Sequence, residues 1–570
     1  MGGPGDGAPK GFSSREQPTR LSHAEGHGAG PKKVDLVPSL SPESESSARP
    51  QLSSAREPGD LDGASPSVVD GRQLREGETP DAAEMPVEES DEGVVPKKSS
   101  KTWVTPVEMM EGRPEAKGKP VARNAPSTQR EIGAPTTLQR IGHRAKEKPK
   151  EKWTTLLSHV KVPLLKEAYQ RLRRDAATGV DGITWAEYGV RLDERLTDLE
   201  DRVHRGSYHP QPVRRVHIPK GNGNMRPIGV PALDDKLVQQ AVRMVLEPIY
   251  EAEFIGFSYG FRPKRSAHDA LNALAVAVAR KVNWVLDADI RSFFDTIDHR
   301  YLQRFLEHRI GDKRMVRLLM KWVNAGVLED GELHVAQAGT PQGGVISPLL
   351  ANIYLHYVFD LWVQSWRKKR ARGEMYVVRY ADDFVMAFQK EEDVLTMRAA
   401  LAERLAKFSL ELHPDKTRVI EFGRFACEGR ACRGLGKPET FEFLGFVHIA
   451  SVDRRGKFQL KRRTSRNKRR AKLARLREEI ERRRHFQVVE QYAWLSLVLS
   501  GHYRYYGVPT NFRSLKQFKE VVEWKWHRSL QRRSQRGRWT NARWAAFRKR
   551  FPLPSPRIHH PWPSLSSLLR

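Results

Sequence analysis

Three aspartates are the residues of this sequence whose types and spacing point most directly to chemistry. Asp382 and Asp383 are adjacent in "YVVRYADDFVMAF", and Asp289 ends an earlier strand-like run, "NWVLDADI". Aspartate is common in turns, so the pair taken alone indicates an acidic, solvent-facing turn. Three carboxylates at the ends of adjacent strands would instead repel one another unless a cation lay between them. Two Mg²⁺ ions, about 3.5 to 4 Å apart, would relieve that repulsion and suit an in-line phosphoryl displacement.

The elements that must position these aspartates can be predicted from periodicity. "VNWVLDADIRSFFDTIDH" predicts a strand that runs into a helix, with Asp289 where the strand ends. "YVVRY" and "FVMAF" flank "ADD" as two strands flank a tight turn, which places Asp382 and Asp383 at a hairpin tip. A second hairpin is predicted around "KGNGN", whose glycines suit the backbone angles of a turn.

The charge balance of the 570-residue chain indicates a polyanionic partner. The chain contains 99 Lys and Arg against 69 Asp and Glu, so its net charge is +30 and its pI is near 10.1. Nucleic acid is the first partner that this charge predicts, and an anionic membrane is the second. The longest apolar runs, such as "YAWLSLVLSG", are shorter than the roughly 20 residues of a membrane span. Since the N-terminus also lacks a signal-peptide core, we expect a soluble, cytoplasmic protein with no membrane contact.

Composition divides the chain into three parts. Residues 1–148 are rich in Gly, Pro, Ser and charged residues, with Phe12 and Trp103 as the aromatics, which predicts a disordered N-terminal extension. A basic tether around "HRAKEKPKEK" is the functional alternative. Helical and strand patterns alternate over 150–447, which predicts a mixed α+β domain. The segment 460–563 is helical and rich in Arg, Trp and Tyr.

Cysteine usage indicates free thiols. The chain contains two cysteines, Cys427 and Cys432, in "ACEGRAC". A structural zinc site needs four ligands, and neither His413 nor His448 falls at a suitable spacing from them. We therefore favour reduced thiols over a zinc site.

The order of the motifs resembles that of a known family. "DIRSFFD", "GTPQGGVISPLLANIYL", "YADD", "LELHPDKT" and "FEFLGF" follow the order and approximate separations of the palm motifs of reverse transcriptases. With "RPIGVPALDDKLVQQAV", "YGFRPKRSAHDAL" and "GHYRYYG", the chain resembles the reverse transcriptase and maturase proteins encoded by group II introns. The resemblance implies an α+β right-hand polymerase with fingers at 150–285, palm at 286–447, and an α-helical thumb and maturase domain at 460–563.

The resemblance implies a role for each aspartate. Asp289, Asp382 and Asp383 match the catalytic, metal-binding residues of the family, and the carbonyl of Ile290 is a further expected ligand of the two Mg²⁺ ions. A primer 3′-hydroxyl would attack the α-phosphorus of a dNTP and release pyrophosphate. Phe443, Leu444 and Gly445 match the hairpin that holds the primer end, where glycine permits close backbone approach.

Further residues are expected around the incoming nucleotide. A flexible ammonium and a forked guanidinium on one hairpin suit a triphosphate, although one basic residue among 99 is weak evidence. An aromatic ring against the ribose would clash with a 2′-hydroxyl, unless Phe293 and Phe294 are ordinary core residues. A lysine near the leaving pyrophosphate would be a general acid, although a surface lysine explains it nearly as well. The nucleotide-binding residues that the resemblance implies are Lys220, Arg226, Phe294, Gln342, Gly343 and Lys416.

The C-terminal part predicts RNA binding. Residues 461–484 contain 13 Lys and Arg against three Glu, which indicates either a solvated helix face or, as we favour, contact with RNA phosphates. Aromatics interleaved with Arg in "SGHYRYYGVPTNF" and "WKWHRSLQRRSQRGRW" suit stacking on unpaired bases, although many of them must also be core. The predicted RNA-binding residues are Arg469, Arg470, Lys472, Tyr503, Arg504, Tyr505, Tyr506, Arg532 and Arg533.

The sequence thus predicts an RNA-directed DNA polymerase that also binds its group II intron RNA as a maturase, assisting splicing and mobility. The expected partners are intron RNA, an RNA template with a DNA primer, dNTPs and a DNA target, in a cytoplasmic ribonucleoprotein. No Cys pairs or His-Asn-His constellation follow the thumb, so we expect no DNA-nicking endonuclease domain. One alternative is an RNA-binding splicing cofactor whose polymerase activity is secondary. Another is a reverse transcriptase recruited to a different role, such as defence.

Overall fold

Most of the chain from residue 137 onward is described by a computed structural model. Lys220 lies outside the described residues, as do residues 1–136 of the predicted disordered extension. The described residues are 137–219, 225–329, 332–334, 339, 342–534 and 539–562.

Helices account for most of these residues. A π-helical segment, His356–Asp360, joins two of them, and a short 3-10 helix covers Leu157–His159. The α-helices are, in chain order, α1 (Thr137–Glu147), α2 (Val162–Arg171), α3 (Trp185–Gly189), α4 (Leu192–Arg205), α5 (Leu233–Glu251), α6 (Ala267–Ala279), α7 (Phe293–Thr296), α8 (His299–Arg309), α9 (Lys313–Val323), α10 (Ser347–Leu355), α11 (Leu361–Lys369), α12 (Glu391–Ala406), α13 (Ala426–Cys432), α14 (Arg466–Arg482), α15 (Val488–Tyr506), α16 (Phe512–Gln531) and α17 (Asn541–Arg550).

The strands form three sheets. A mixed sheet has the order β2–β1–β4–β5, an antiparallel one the order β6–β7–β3–β8, and a three-stranded one the order β11–β10–β9. The strands are β1 (Val213–Pro219), β2 (Met225–Val230), β3 (Trp284–Asp289), β4 (Val327–Glu329), β5 (Glu332–His334), β6 (Met375–Tyr380), β7 (Asp383–Phe388), β8 (Arg418–Glu421), β9 (Phe441–Phe443), β10 (Phe446–Val452) and β11 (Phe458–Thr464).

Helix α1 corrects the predicted boundary of the disordered extension. The extension was expected to reach residue 148, whereas Thr137–Glu147 is helical and packs against α5. Ile141 and Ala145, one helical turn apart, are its buried residues, and Leu138 packs beside them. A short apolar stripe that meets a large neighbouring helix is enough to order this segment, which composition alone does not reveal.

The fingers region is built around helix α5. Thirteen of its 19 residues are buried, because α1, α2 and α10 all pack against it. The predicted second hairpin is formed by β1 and β2, with Ile218 opposite Arg226 and Pro219 opposite Met225. Arg226 therefore lies at the tip end of the hairpin, next to the turn that lies outside the described residues.

The β6–β7–β3–β8 sheet, which we call the palm sheet, has an apolar core on each face. Side chains alternate along a strand, so neighbouring residues of β3 contribute to different cores. Leu286 packs with α10 and α12, whereas Val285 packs with α6 and the C-terminal helices. Because both faces are covered, polar side chains of this sheet are solvated mainly where its strands end.

Helices α14 to α17 form the C-terminal helical region, which we call the thumb region after the prediction. Helix α14 is polar on most of its surface, and Leu476 and Ile480 are its buried residues. Helices α15 and α16 supply the thumb core, which includes Leu499, Phe518 and Trp526. Within the described residues, no helix has the length and apolar character that membrane crossing requires.

Candidate active site

Strand pairing brings the three predicted aspartates to one end of the palm sheet. Asp289, the last residue of β3, is directly opposite Asp383, the first residue of β7. Tyr380 pairs with Asp383, so Ala381 and Asp382 form a two-residue turn between β6 and β7. Opposed residues of antiparallel strands have Cα atoms about 4.5 to 5.5 Å apart. The tip of the hairpin therefore carries Asp382, while Asp383 is already a strand residue.

Like charges and burial act together on these carboxyl groups. Burial raises the pKa of Asp383 well above its usual value, and Asp382, Asp289 and Asp287 raise it further. Burial and then Asp289 raise the pKa of Asp382. Burial also raises the pKa of Asp287 to about 6, although Arg418 opposes the change. Without a cation, this end of the sheet disfavours having all of its carboxylates ionised at once.

Cationic side chains from all three regions surround the carboxylates. The ammonium of Lys416 contacts the Asp289 carboxylate, and the loop before it is fixed because His413 N donates to Asp289 O at 2.8 Å. Arg226, from the fingers hairpin, lies near enough to Asp382 for its positive charge to oppose the rise in the pKa of that carboxyl group. Lys468, from thumb helix α14, acts in the same way on Asp383. The sequence prediction did not include Lys468, because nothing local relates α14 to the palm.

The chemistry of the donor set fits a hard divalent cation. Carboxylate oxygens are the ligands that Mg²⁺ prefers, and a cation would offset the mutual repulsion of the three aspartates. As the side chains stand, no three acidic, His or Cys residues of the described part of the chain converge to hold a metal ion. The ammonium of Lys416 occupies the position beside Asp289 instead.

Arg379, the residue before "YADD", anchors the turn formed by Ala381 and Asp382. Its Nε and Nη2 donate to the two carboxylate oxygens of Asp360 at 2.7 and 2.5 Å, and neither residue is exposed. Nη1 donates to Asn352 Oδ1 at 3.1 Å and to the carbonyl oxygen of Ala381 at 2.9 Å. Nη2 also donates to Ser258 Oγ at 2.7 Å. A guanidinium has five N–H donors, so every one of them has an acceptor here.

These contacts stabilise a turn that is costly by itself. Ala381 has φ +58°, in the left-handed region that L-residues rarely adopt. Its carbonyl is held by Arg379, and its amide packs so closely on Gly260 that a Cβ there would lie 2.3 Å away. Asn352 Nδ2 donates to Gly260 O at 2.8 Å, which fixes the same loop. The backbone that directs Asp382 is thus set by buried contacts rather than by the turn residues.

The π-helical segment delivers the carboxylate of Asp360 to this network. Such one-turn widenings of a helix frequently accompany functional sites. His356, one turn before Asp360, is buried, and burial lowers its pKa to about 4. Because the imidazole of His356 is therefore neutral, Arg379 is the cation that pairs with the carboxylate of Asp360. Sequence reasoning missed this network, although a basic residue inside a buried strand run is itself a signal for a buried acid.

The adjacent phenylalanines have different environments. Phe293 is buried in the core, whereas Phe294 is only partly buried and meets it edge-on with ring centroids 5.5 Å apart. Both begin the short helix α7, which is separated by two residues from the buried Ile290. Phe294 is therefore not an ordinary, fully buried core residue, and its role as a steric gate stays a prediction.

The loop that carries Gln342 and Gly343 is fastened to the fingers. Gly229 N donates to Gln342 O at 2.7 Å, and a Cβ on Gly343 would lie 2.4 Å from Gly229 O. Gly343 also has φ +120°, so this close contact requires glycine. Gln239 Oε1 of α5 accepts the amide of Val345 at 2.8 Å. Two independent attachments thus fix the loop to the fingers, just before helix α10.

The predicted primer-holding residues form a tight turn that the thumb supports. Phe443 pairs with Phe446, so Leu444 and Gly445 make up the turn between β9 and β10, with φ of +49° and +77°. Two positive φ values are typical of the twisted turns of β-hairpins. Tyr505 Oη donates to Leu444 O at 2.9 Å.

This arrangement corrects part of the RNA-binding prediction. Tyr503 and Tyr506 are buried in the thumb core, and Tyr505 packs against Phe446 with ring centroids 5.8 Å apart. Buried rings offer no free face to a base, so Tyr503 and Tyr506 support the fold, and Tyr505 supports the turn at Leu444 and Gly445. Arg504, between them, is exposed.

The remaining predicted RNA-binding residues lie on helix α14 and at the end of α16. Arg470 and Arg532 are exposed. Arg469 donates to Gln517 at 3.2 Å, and Arg533 donates to the carbonyl oxygen of Phe486 at 3.0 Å. Burial lowers the pKa of Lys472 to about 8. The basic helix is thus formed as predicted, with a solvated face beside the cleft.

Thumb and fingers meet above the palm sheet. Arg475 of α14 donates to the carbonyl oxygen of Pro219, the last residue of β1, at 2.7 Å. The same helix carries Lys468, which faces Asp383. The carboxylates therefore lie in a cleft that is bounded by the fingers hairpin on one side and by a basic helix on the other.

Comparison with known proteins agrees with this geometry. A profile of the family described as "Reverse transcriptase (RNA-dependent DNA polymerase)" matches residues 218–448. "Protein YkfC" of Escherichia coli K12 is 38% identical over 274 residues, which cover 42% of this chain and 71% of that protein. "Group II intron-encoded protein LtrA" of Lactococcus lactis is 40% identical over 221 residues, 38% of this chain and 37% of that protein. "Nuclear intron maturase 2, mitochondrial" of Arabidopsis thaliana is 32% identical over 150 residues, 26% of this chain and 19% of that protein.

Replacement of Arg379 tests the buried network. Arg379→Met leaves the carboxylate of Asp360 buried without its cation, so we expect the free energy of unfolding to fall by about 3 to 5 kcal/mol. Asp360→Leu should cost a similar amount. The double variant should cost much less than the sum, because an apolar pair then replaces the ion pair. Urea unfolding followed by circular dichroism measures all three.

The exposed pair Arg372 and Glu392, at 2.6 Å, provides a matched control. The same cycle there, with Arg372→Met and Glu392→Leu, should give a coupling of about 1 kcal/mol or less because solvent screens both charges. Additive effects of Arg379→Met and Asp360→Leu would contradict the assigned role of the network.

Proposed function

The chain belongs to the family of group II intron-encoded reverse transcriptases, and from this premise we propose that DNA is synthesised on an RNA template at the carboxylate end of the palm sheet. The observation that carries the proposal is the register of β3 and β7, which sets Asp289 opposite Asp383 with Asp382 in the adjoining turn. The family match, residues 218–448, spans all three positions. The chain covers less than half the length of several relatives, and we therefore propose its substrates and partners as well.

Asp289, Asp382 and Asp383, with the carbonyl oxygen of Ile290, would hold two Mg²⁺ ions, which when bound supply positive charge to the attacking and leaving oxygens. The oxygen of the primer 3′-hydroxyl forms a bond to the α-phosphorus of the dNTP as the bond to pyrophosphate breaks. Lys416, whose ammonium is at Asp289, is placed to give a proton to the leaving pyrophosphate.

The surrounding residues bind and orient the substrates. Arg226, with Lys220 of the same hairpin, would bind the triphosphate through charge-assisted hydrogen bonds. The partly buried ring of Phe294 would lie against the sugar and exclude a 2′-hydroxyl. Gln342 and Gly343 would contact the base pair that forms. The turn at Leu444 and Gly445, held by Tyr505, would support the primer end.

A maturase role is supported by the basic thumb. Helix α14 has a polar face with exposed arginines, which suits contact with RNA phosphates. The relatives include proteins named as intron-encoded and as an intron maturase. We propose that intron RNA binds this face, so that one ribonucleoprotein both promotes splicing and copies RNA into DNA for insertion at a DNA target.

Asp382→Ala tests the catalytic assignment. Loss of one carboxylate removes charge that positions the reacting phosphate, so we expect primer extension on an RNA template to fall about 100- to 1000-fold or more. Asp201→Ala, at an exposed helix position, is the control and should extend as the parent does. Equal incorporation by Asp382→Ala and the parent would end the assignment.

Phe294→Ala tests the steric argument for deoxynucleotide preference. Removal of the ring gives room for a 2′-hydroxyl, so the ratio of kcat/KM for dNTP over rNTP should fall about 10- to 200-fold. Phe293→Leu changes a core neighbour and should lower stability while leaving this ratio nearly unchanged. An unchanged ratio in Phe294→Ala would refute the gate.

A third test separates splicing from polymerisation. Splicing of the cognate intron should survive Asp382→Ala, since RNA binding needs no palm chemistry. The double variant Arg466→Gln/Arg470→Gln on helix α14 should slow splicing about tenfold at 0.15 M salt, because two RNA phosphates are then no longer neutralised. Lys313→Gln/Arg317→Gln on helix α9 removes the same charge elsewhere and should splice normally. Equal rates in both double variants would exclude α14 from intron binding.

A further inference from the structure

The segment Pro552–Trp562, which we call the C-terminal strap, is tied along thumb helix α15. Tyr492 Oη donates to Pro552 O at 3.3 Å, and Tyr503 Oη donates to Pro554 O at 3.2 Å. At its other end, His559 N donates to Gly507 O at 2.8 Å. These three hydrogen bonds fix the strap along its length.

A cavity of about 230 Å³ lies between the strap and α15. Helix α15 contributes Ser500 and Arg504 to its lining, and the strap contributes Ser555, Arg557 and His559. All of these side chains can donate hydrogen bonds, and no acidic residue lines the cavity. The lining is therefore complementary to an anion with several oxygen acceptors.

The cavity lining carries two arginines and a histidine without an acidic residue among them. Neither Arg504 nor Arg557 forms an ion pair with a carboxylate among the described residues, and both are exposed. Partial burial lowers the pKa of His559, and Arg504 and Arg557 lower it further, so the three groups act on one another. Two guanidinium groups that line one cavity favour binding of an anion there.

Basic side chains also lie beneath the strap. Arg462 of β11 is fully buried, and none of its three guanidinium nitrogens has a hydrogen-bond partner in the described part of the chain. It lies under the ring of Trp562, 4.5 Å from the centroid. His268 stacks on His560 with ring centroids 3.4 Å apart. Burial lowers the pKa of His560 and Arg462 lowers it further, so the positive charge of Arg462 acts on the strap from below.

We propose that the cavity between the strap and α15 binds a phosphate group. Guanidinium groups bind phosphate oxygens in a bidentate manner, and the serine hydroxyls can complete the shell. Either a nucleic acid backbone or a free phosphate has this chemistry. The backbone alternative rests on the proposed function, because it makes the strap a second contact with bound nucleic acid, outside the catalytic cleft.

Binding of single-stranded RNA and DNA oligonucleotides as a function of NaCl tests the proposal. We expect Arg504→Gln/Arg557→Gln to weaken binding about tenfold at low salt and to reduce the slope of log K against log salt by about 0.7 for each phosphate that the variant no longer neutralises. Lys313→Gln/Arg317→Gln removes the same charge from helix α9 and should keep the slope of the wild type. Melting temperatures should be equal, because both arginines are exposed.

Inorganic phosphate provides the second arm. If it raises the melting temperature of the wild type but not of Arg504→Gln/Arg557→Gln, while oligonucleotide binding is equal in both, the cavity takes a free phosphate. If the two double variants behave alike in both arms, the proposal is overturned. Primer extension is measured separately with Asp382→Ala, so failure of the palm assignment is distinguishable from failure of this one.

Discussion

The fully satisfied guanidinium of Arg379 is the interaction on which the carboxylate end of the palm sheet depends. Its five donors join the loop at Ser258, helix α10, the π-helical segment and the turn at Ala381. A buried ion pair of this kind is a weak source of net stability, since desolvation offsets most of the attraction. Its value is geometric, because each acceptor can meet the planar fork in only one arrangement. That arrangement positions the backbone of Asp382 and Asp383, which follow in the chain.

Charge organises the molecule at a larger scale. The chain carries a net charge of +30, yet its palm sheet ends in a cluster of carboxylates. Cations of the fingers hairpin, the Lys416 loop and thumb helix α14 point toward that cluster. A polyanionic substrate is attracted by the protein as a whole, while the carboxylates repel it unless cations accompany it. Such a field suits a site that takes nucleotide and metal together.

The thumb shows how one segment can serve both fold and function. Tyr505 and Tyr506 lie against the turn at Leu444 and Gly445, so the thumb core is continuous with the element that we expect to hold a primer. Movement of the thumb would therefore displace that turn. The basic residues lie outside this aromatic core, on helix α14 and along the C-terminal strap.

The sequence by itself determined the hairpins, the strand-end positions of the three aspartates and the family, because these depend on residues close together in the chain or on motif order. Only the tertiary structure decided which polar and aromatic side chains are buried and which residues they contact. Arg379 finds Asp360 across 19 residues and Ser258 across 121, and the burial of Tyr503 depends on helices that meet only in the folded thumb. Periodicity records which face of an element is apolar, but it does not record which distant element covers that face. For that reason the acidic turn could be predicted, whereas the buried guanidinium that fixes its shape could not.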